Sequence, residues 1–214
     1  MALRGLITDW GGVLTVGLRE AVDEWATAEQ IDPVDYVSVM REWFGRSPLE
    51  AVYNPVHALE KGELEVPHFE EHLAQALSER AGRSVPAAGL VQRMLTYFRH
   101  SPDMMSLMRR AKSQGIRTAL LSNSWGMNYP ADLFDGMFDA LVISGEVGMR
   151  KPDREIYEYA LQAIDLPAGE CVFIDDLLPN VIAAREVGIV TIHHTDYATT
   201  AAELDVLFDR VLSR

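Results

Sequence analysis

Leu6-Ile7-Thr8-Asp9-Trp10-Gly11-Gly12-Val13-Leu14-Thr15, near the start of the chain, governs how everything after it reads. Leu3 to Thr8 is a short, largely apolar run, and Asp9 followed by Trp10-Gly11-Gly12 stops it in a turn. That pattern predicts a buried strand ending in a carboxylate. The rhythm then changes. From Leu18 to Phe98 the apolar spacing is helical: Ala21, Val22, Trp25 and Ala26 share one face, Val34, Val37, Met40 and Arg41 continue the period, and Leu49, Val52, Val56 and Leu59 do the same. Pro67 sits near the start of a helix carrying Phe69, Leu73, Ala76 and Leu77, and Val91, Met94, Leu95 and Phe98 mark another. So long a helical stretch after a single strand implies an inserted helical subdomain.

Beyond it, strands and helices alternate. Pro102 opens a helix that runs to Gln114, and Gly115 stops it. Strands are expected at Ile116–Leu121, Ala140–Ser144, Cys171–Ile174 and Ile189–Ile192, with helices at Asp153–Ile164, Pro179–Val187 and Thr200–Leu212. The expected fold class is therefore α/β, a Rossmann-like parallel sheet with helices on both faces, plus an all-helical insertion.

Composition narrows the function classes. The 214 residues are 48% hydrophobic and 24% charged, which suits a globular protein and not a disordered one. Lys and Arg number 19 against 32 Asp and Glu, a net charge of −13. Such a surface repels nucleic acid and anionic membranes, yet a local cation can still hold a phosphorylated small molecule. One cysteine, Cys171, excludes an internal disulfide and a Cys-rich zinc site. With no signal-like start and no apolar run of membrane-spanning length, a cytoplasmic setting is expected.

In an open parallel sheet, ligands bind beyond the carboxyl ends of the strands. The first strand ends in Asp9, the second in Ser122-Asn123-Ser124, and the strand after Cys171 in Asp175-Asp176. Gly148-Met149-Arg150-Lys151-Pro152-Asp153 places Lys151 just ahead of a helix. Three carboxylates, a hydroxyl, an amide and a lysine should thus meet along one edge. Asp9, Asp175 and Asp176 cannot all be ionised close together without a cation, and hard oxygen ligands favour Mg²⁺, which bridges substrate phosphate. An aspartate facing a metal-held phosphoryl group can attack it and form an aspartyl phosphate.

Four segments carry a family resemblance: Ile7 to Thr15, Leu120-Leu121-Ser122-Asn123, Gly148 to Asp153, and Phe173-Ile174-Asp175-Asp176 with Asn180. In this order they resemble the haloacid dehalogenase superfamily, in the branch with a helical cap after the first strand. Within it the chain is similar to sugar-phosphate phosphatases and to the phosphatase domain of soluble epoxide hydrolases. The resemblance implies a core domain of residues 1–16 and 99–214 and a helical cap of residues 17–98. It implies Asp9 as nucleophile and Mg²⁺ ligand, Ser122 and Lys151 holding the phosphoryl group, and Asp176 as the main acidic metal ligand with Asp175 beside it. It adds the Gly11 carbonyl to the metal shell and puts Asn123 and Gly12 on the substrate side. The implied reaction is Mg²⁺-dependent hydrolysis of a small phosphorylated metabolite by a monomer or homodimer.

One departure matters. Phosphatases of this family carry an acid two residues after the nucleophile, and here that position is Gly11. General acid–base catalysis is worth about 10²–10⁴-fold, so a slower enzyme, one favouring good leaving groups, or one with a substitute acid is expected. Glu20, His57 and His68 are the candidates from the cap. Restoring the acid with Gly11→Asp tests whether its absence limits turnover. Two alternatives remain: a metal-independent 2-haloacid dehalogenase, whose relatives also lack the second Asp, and a non-catalytic binding protein of the same fold. Elsewhere the residues read as structural. Met104, Met105 and Met108 pack, Trp25 and Trp43 fill the helical core, and Cys171 is an inert buried thiol. His193-His194 point to opposite faces of a strand, and Glu60, Glu63 and Glu65 form a solvated face.

Overall fold

The computed structural model describes residues 2–44, 53–126, 129 and 131–213. Five strands, β1 (Gly5–Thr8), β2 (Arg117–Ser122), β3 (Ala140–Ile143), β4 (Cys171–Asp175) and β5 (Val190–His193), form one parallel sheet in the order β3-β2-β1-β4-β5. The first strand is thus central. Thr8 is level with Leu120 on one side and Ile174 on the other, so Asp9 emerges between the ends of β2 and β4.

Side chains of successive strand residues enter opposite layers, as the two-residue period requires. Leu6, Leu120, Val172, Ile174 and Ile192 pack with Met104, Leu107, Met108 and Leu204. Ile7, Ala119, Leu121 and Phe173 pack on the other side with Ile156, Tyr157, Ala160 and Ala184. Between β1 and β2 run α1 (Leu18–Ala28), α2 (Pro33–Phe44), α3 (Pro55–Glu60), α4 (Val66–Ala81), α5 (Leu90–Leu95) and α6 (Pro102–Ser113). Then follow α7 (Ala131–Phe134), α8 (Ser144–Val147), α9 (Arg154–Ala163), α10 (Leu178–Glu186) and α11 (Tyr197–Phe208). Helices cover both faces of the sheet, and the expected α/β class holds. No helix among the described residues is long and apolar enough to cross a membrane.

Helices α1 to α5 gather around a separate core of Val22, Trp25, Val39, Trp43, Phe69, Leu73, Leu77, Leu90 and Met94. Each large side chain fully buried there stabilises by roughly 1.5–3 kcal/mol. The reading of α2 is corrected. Val34 and Val37 are exposed and Arg41 points to solvent, while Tyr36, Val39, Met40 and Trp43 are buried. The two valines suggested a stripe, but the helix turns the i, i+3, i+4, i+7 set of Tyr36, Val39, Met40 and Trp43 inward, because that set removes more apolar area from water. Leu49 and Val52 lie outside the described residues. The last helix begins at Tyr197, three residues before the expected Thr200, because Asp196 caps it by accepting the Thr199 N–H at 2.8 Å. It ends at Phe208, before the expected Leu212.

Candidate active site

The site forms where β1, β2 and β4 end. Asp9 N donates to Ile174 O at 2.9 Å, prolonging the ladder by one residue and fixing the Asp9 backbone beside β4. Its side chain is nearly buried, and Oδ1 accepts from Trp10 N at 2.6 Å and lies 2.8 Å from Lys151 Nζ. Neither bond uses Oδ2. Gly12 adopts φ +74°, and a Cβ there would fall 2.1 Å from Asp176 Oδ2, so the turn after Asp9 favours glycine. Thr15 Oγ1 accepts the Gly12 N–H at 3.0 Å and tightens this turn.

Lys151 is 1% exposed and sits between Asp9 and Asp175, with Nζ 2.7 Å from Asp175 Oδ2. The Phe173 ring lies 5.5 Å from the same ammonium. Burial pulls the lysine pKa down, but Asp175 and Asp9 outweigh it and hold the ammonium above its ordinary value. Asn123 was expected on the substrate side. Its carboxamide clamps the lysine backbone, donating to Lys151 O at 3.0 Å and accepting from Lys151 N at 2.8 Å. Ser122 is buried at the end of β2, and its Oγ accepts from the Tyr129 hydroxyl at 2.8 Å.

Asp175 is fully buried and heavily engaged. Oδ1 accepts from Leu177 N at 2.8 Å, Asn180 Nδ2 lies 3.1 and 3.0 Å from its two oxygens, and Oδ2 receives Lys151. Asp176 is only partly buried, and His193 Nε2 meets its backbone carbonyl at 2.9 Å. One carboxylate oxygen from each of Asp9, Asp175 and Asp176 lies within 4.8 Å of the others. Burial pushes the Asp9 carboxyl up to about 8; Lys151 pulls it down, and Asp175 and Asp176 push it further up. Asp176 is raised to about 6 by burial and then by Asp175. Burial is the larger cause of both rises, and repulsion among the three acids adds to it; a divalent ion bound among them would offset that repulsion. The carboxylates of Asp9, Asp175 and Asp176 are the groups that could hold one, and Asp175 also fixes Lys151.

Two readings change at the seam between the helical region and the sheet. Glu60 is not on a solvated face: it is buried, with Arg150 Nε at 2.5 Å from Oε2 and Trp125 Nε1 at 3.2 Å from Oε1. Its backbone carbonyl accepts from Ser144 Oγ at 2.5 Å, and Ser144 Oγ also accepts Ser124 N at 2.7 Å. Gly62, at φ +72°, permits this approach, since a Cβ would stand 2.6 Å from Gly145 O. Glu63 and Glu65 are exposed as expected. The second change concerns the substitute acids. Glu20 pairs with Arg99 at 2.8 Å on an exposed face, His68 is exposed, and His57 faces Phe44 and the Arg150 side of the seam. Among the described residues, the charged groups acting on Asp9 are Lys151, Asp175 and Asp176.

The chain is similar to known proteins. The chain is 45% identical over 113 residues to a sesquiterpene phosphatase of Aspergillus oryzae, covering 48% of this chain and 56% of that one. It is 27% identical over 221 aligned positions to bifunctional epoxide hydrolase 2 of Rattus norvegicus, covering 96% of this chain but 39% of the relative. It therefore spans less than two thirds of either protein. The fold matches a Bacteroides thetaiotaomicron HAD family enzyme, solved with magnesium and inorganic phosphate, at a TM-score of 0.64 and 20% identity over 93% of this chain and 99% of that one. A family profile described as haloacid dehalogenase-like hydrolase matches residues 3–188, and on that match the chain belongs to this family of hydrolases.

Proposed function

We propose that the chain hydrolyses a small phosphomonoester, with Mg²⁺, through an aspartyl phosphate on Asp9. The observation that carries this reading is the close set of Asp9, Asp175 and Asp176 oxygens, two of these carboxylates bridged by the buried Lys151 ammonium. Such a set suits a cation and a phosphoryl group, and it would repel the carboxylate of a haloacid; we therefore set the dehalogenase reading second. The relatives support it, since one is named a sesquiterpene phosphatase and a structural neighbour was solved with magnesium and phosphate.

In this reading Asp9, Asp176 and the Gly11 carbonyl hold the ion, which when bound neutralises charge on the phosphoryl oxygens. Lys151 Nζ and the Ser122 hydroxyl bind the remaining phosphoryl oxygens. Asn123 and Asp175 hold Lys151 in place, through its backbone and its ammonium respectively. Asp9 Oδ2, which neither Trp10 N nor Lys151 Nζ engages, attacks phosphorus. Water then attacks the aspartyl phosphate and regenerates the carboxylate. Residues 17–98 act as the cap, selecting substrate and excluding water, with residues 1–16 and 99–214 as the core domain.

The test is hydrolysis of p-nitrophenyl phosphate and a panel of phosphorylated metabolites with Mg²⁺ and with EDTA, for the wild type and Asp9→Asn. We expect Mg²⁺-dependent phosphate release that falls to background in Asp9→Asn. Undiminished release in EDTA, or chloride release from 2-chloropropionate without metal, overturns the reading.

A further inference from the structure

Gly11 offers no proton to a leaving oxygen, and none of the acids expected in the helical region touches Asp9 among the described residues. Among the described residues, the phenol of Tyr129 meets the site at Ser122. Tyr129 follows β2 in the chain, with its ring against both Trp10, centroids 6.0 Å apart, and Phe134, centroids 6.1 Å apart. Trp10 directly follows Asp9, and its ring meets Phe134 edge-on at 5.2 Å, so the three rings fix one another beside the nucleophile. The Tyr129 hydroxyl is 2.8 Å from Ser122 Oγ, one hydrogen bond from the group assigned to the phosphoryl oxygens.

We propose that Tyr129 supplies the proton that the residue at position 11 cannot, giving its phenol hydrogen to the leaving oxygen when the ester bond breaks. The assignment rests on the phosphatase reading above. As Asp9 Oδ2 bonds phosphorus, the phosphorus–oxygen bond to the substrate alcohol breaks, and its electron pair stays on that oxygen. The oxygen takes the Tyr129 proton and leaves as the alcohol. Water then bonds phosphorus and gives a proton to the Tyr129 phenolate, while the electron pair of the Asp9–phosphorus bond returns to the carboxylate. Ester and water become alcohol and phosphate, and both side chains return to their starting state. Burial pushes the phenol up to about 12, with Asp9 adding to the rise and the Ser122 hydrogen bond opposing it. The group is therefore protonated at neutral pH and still more acidic than an alkyl alcohol.

The experiment measures kcat/KM with Mg²⁺ for an alkyl phosphate and for p-nitrophenyl phosphate, whose leaving group needs no proton. For Tyr129→Phe we expect a loss of about 10²-fold or more on the alkyl phosphate and less than about tenfold on p-nitrophenyl phosphate. Adding Gly11→Asp to that variant should restore the alkyl phosphate rate, since a Cβ at Gly11 meets nothing within 4 Å. Equal losses on both substrates mean that Tyr129 only holds Ser122, and no loss means it does neither; both overturn the proposal. Gly11→Asp alone serves as an independent variant should Tyr129→Phe misfold. A gain below about tenfold on the alkyl phosphate supports a donor already in place, and a gain of about 10²-fold or more shows that none was working. A wild type inactive on both substrates removes the phosphatase reading, and the Tyr129 assignment with it.

Discussion

Lys151 is buried yet charged because Asp9 and Asp175 face it from two sides. Replacing it with methionine, close in length but uncharged, leaves two carboxylates in a poorly hydrated pocket. Breaking one partner out of a buried ion pair costs about 3–5 kcal/mol. Chemical denaturation of Lys151→Met should show a loss of that size, together with loss of hydrolysis. Asp176 behaves in the opposite way. Its carboxyl is raised by burial and by Asp175, so ionising it works against the fold when no cation is present. We expect Asp176→Asn to raise the melting temperature in EDTA and to abolish the rise that Mg²⁺ gives the wild type; an unchanged Mg²⁺ effect would place the ion elsewhere. Asp9, Lys151, Asp175 and Asp176 were legible in the sequence because each ends a strand or precedes a helix at one sheet edge. Asn123 was legible as a site residue but its clamp on Lys151 was not, nor were the contacts of Glu60 and Tyr129, since these depend on what lies across a gap of 28, 90 and 7 residues respectively. An amide that clamps a distant backbone, or a phenol on an irregular loop, has no periodic signature.

The short helix α3 carries more than its length suggests. Its last residue, Glu60, ties the helical region to two site-bearing loops: one with Trp125, just after Ser122-Asn123-Ser124, the other with Arg150, just before Lys151. Glu60→Ala strands Arg150 in a buried setting and should cost about 3–5 kcal/mol, whereas Glu63→Ala, on an exposed face, should stay within about 0.5 kcal/mol. Equal small effects in denaturant titrations would mean the seam is solvated. His57, on the same helix, is pushed down to about 4 from 6.5, by burial first and then by Arg150, with Lys61 acting the same way and Asp153 opposing. A depressed histidine favours the neutral ring in the folded state. Its contribution is therefore complete above about pH 6.5 and is lost as pH falls toward 4. His57→Gln should lose less stability than the wild type across that window, and parallel stability curves would contradict the assignment. α2 shows why helix registers are harder to read than helix positions: Val34 and Val37 fit a helical period as well as Tyr36 and Val39 do, and what they pack against decides between them.

At the scale of the molecule, the sheet was readable because alternating apolar strands and helices leave few ways to cover both faces. The helical insertion was readable as a long break in that alternation. Its contact with the sheet was not, since Glu60 among polar neighbours looks like any exposed acid until the chain folds and Arg150 arrives. The whole arrangement brings residue 9 to residues 122, 151, 175 and 176, and the proposed chemistry depends on that convergence. The most direct measurement is mass spectrometry of the protein quenched in acid during turnover of p-nitrophenyl phosphate with Mg²⁺. The account expects one phosphoryl group on the peptide containing Asp9, and none in Asp9→Asn. Steady hydrolysis with Asp9 unmodified at every quench time, or a phosphoryl group on another residue, would contradict it.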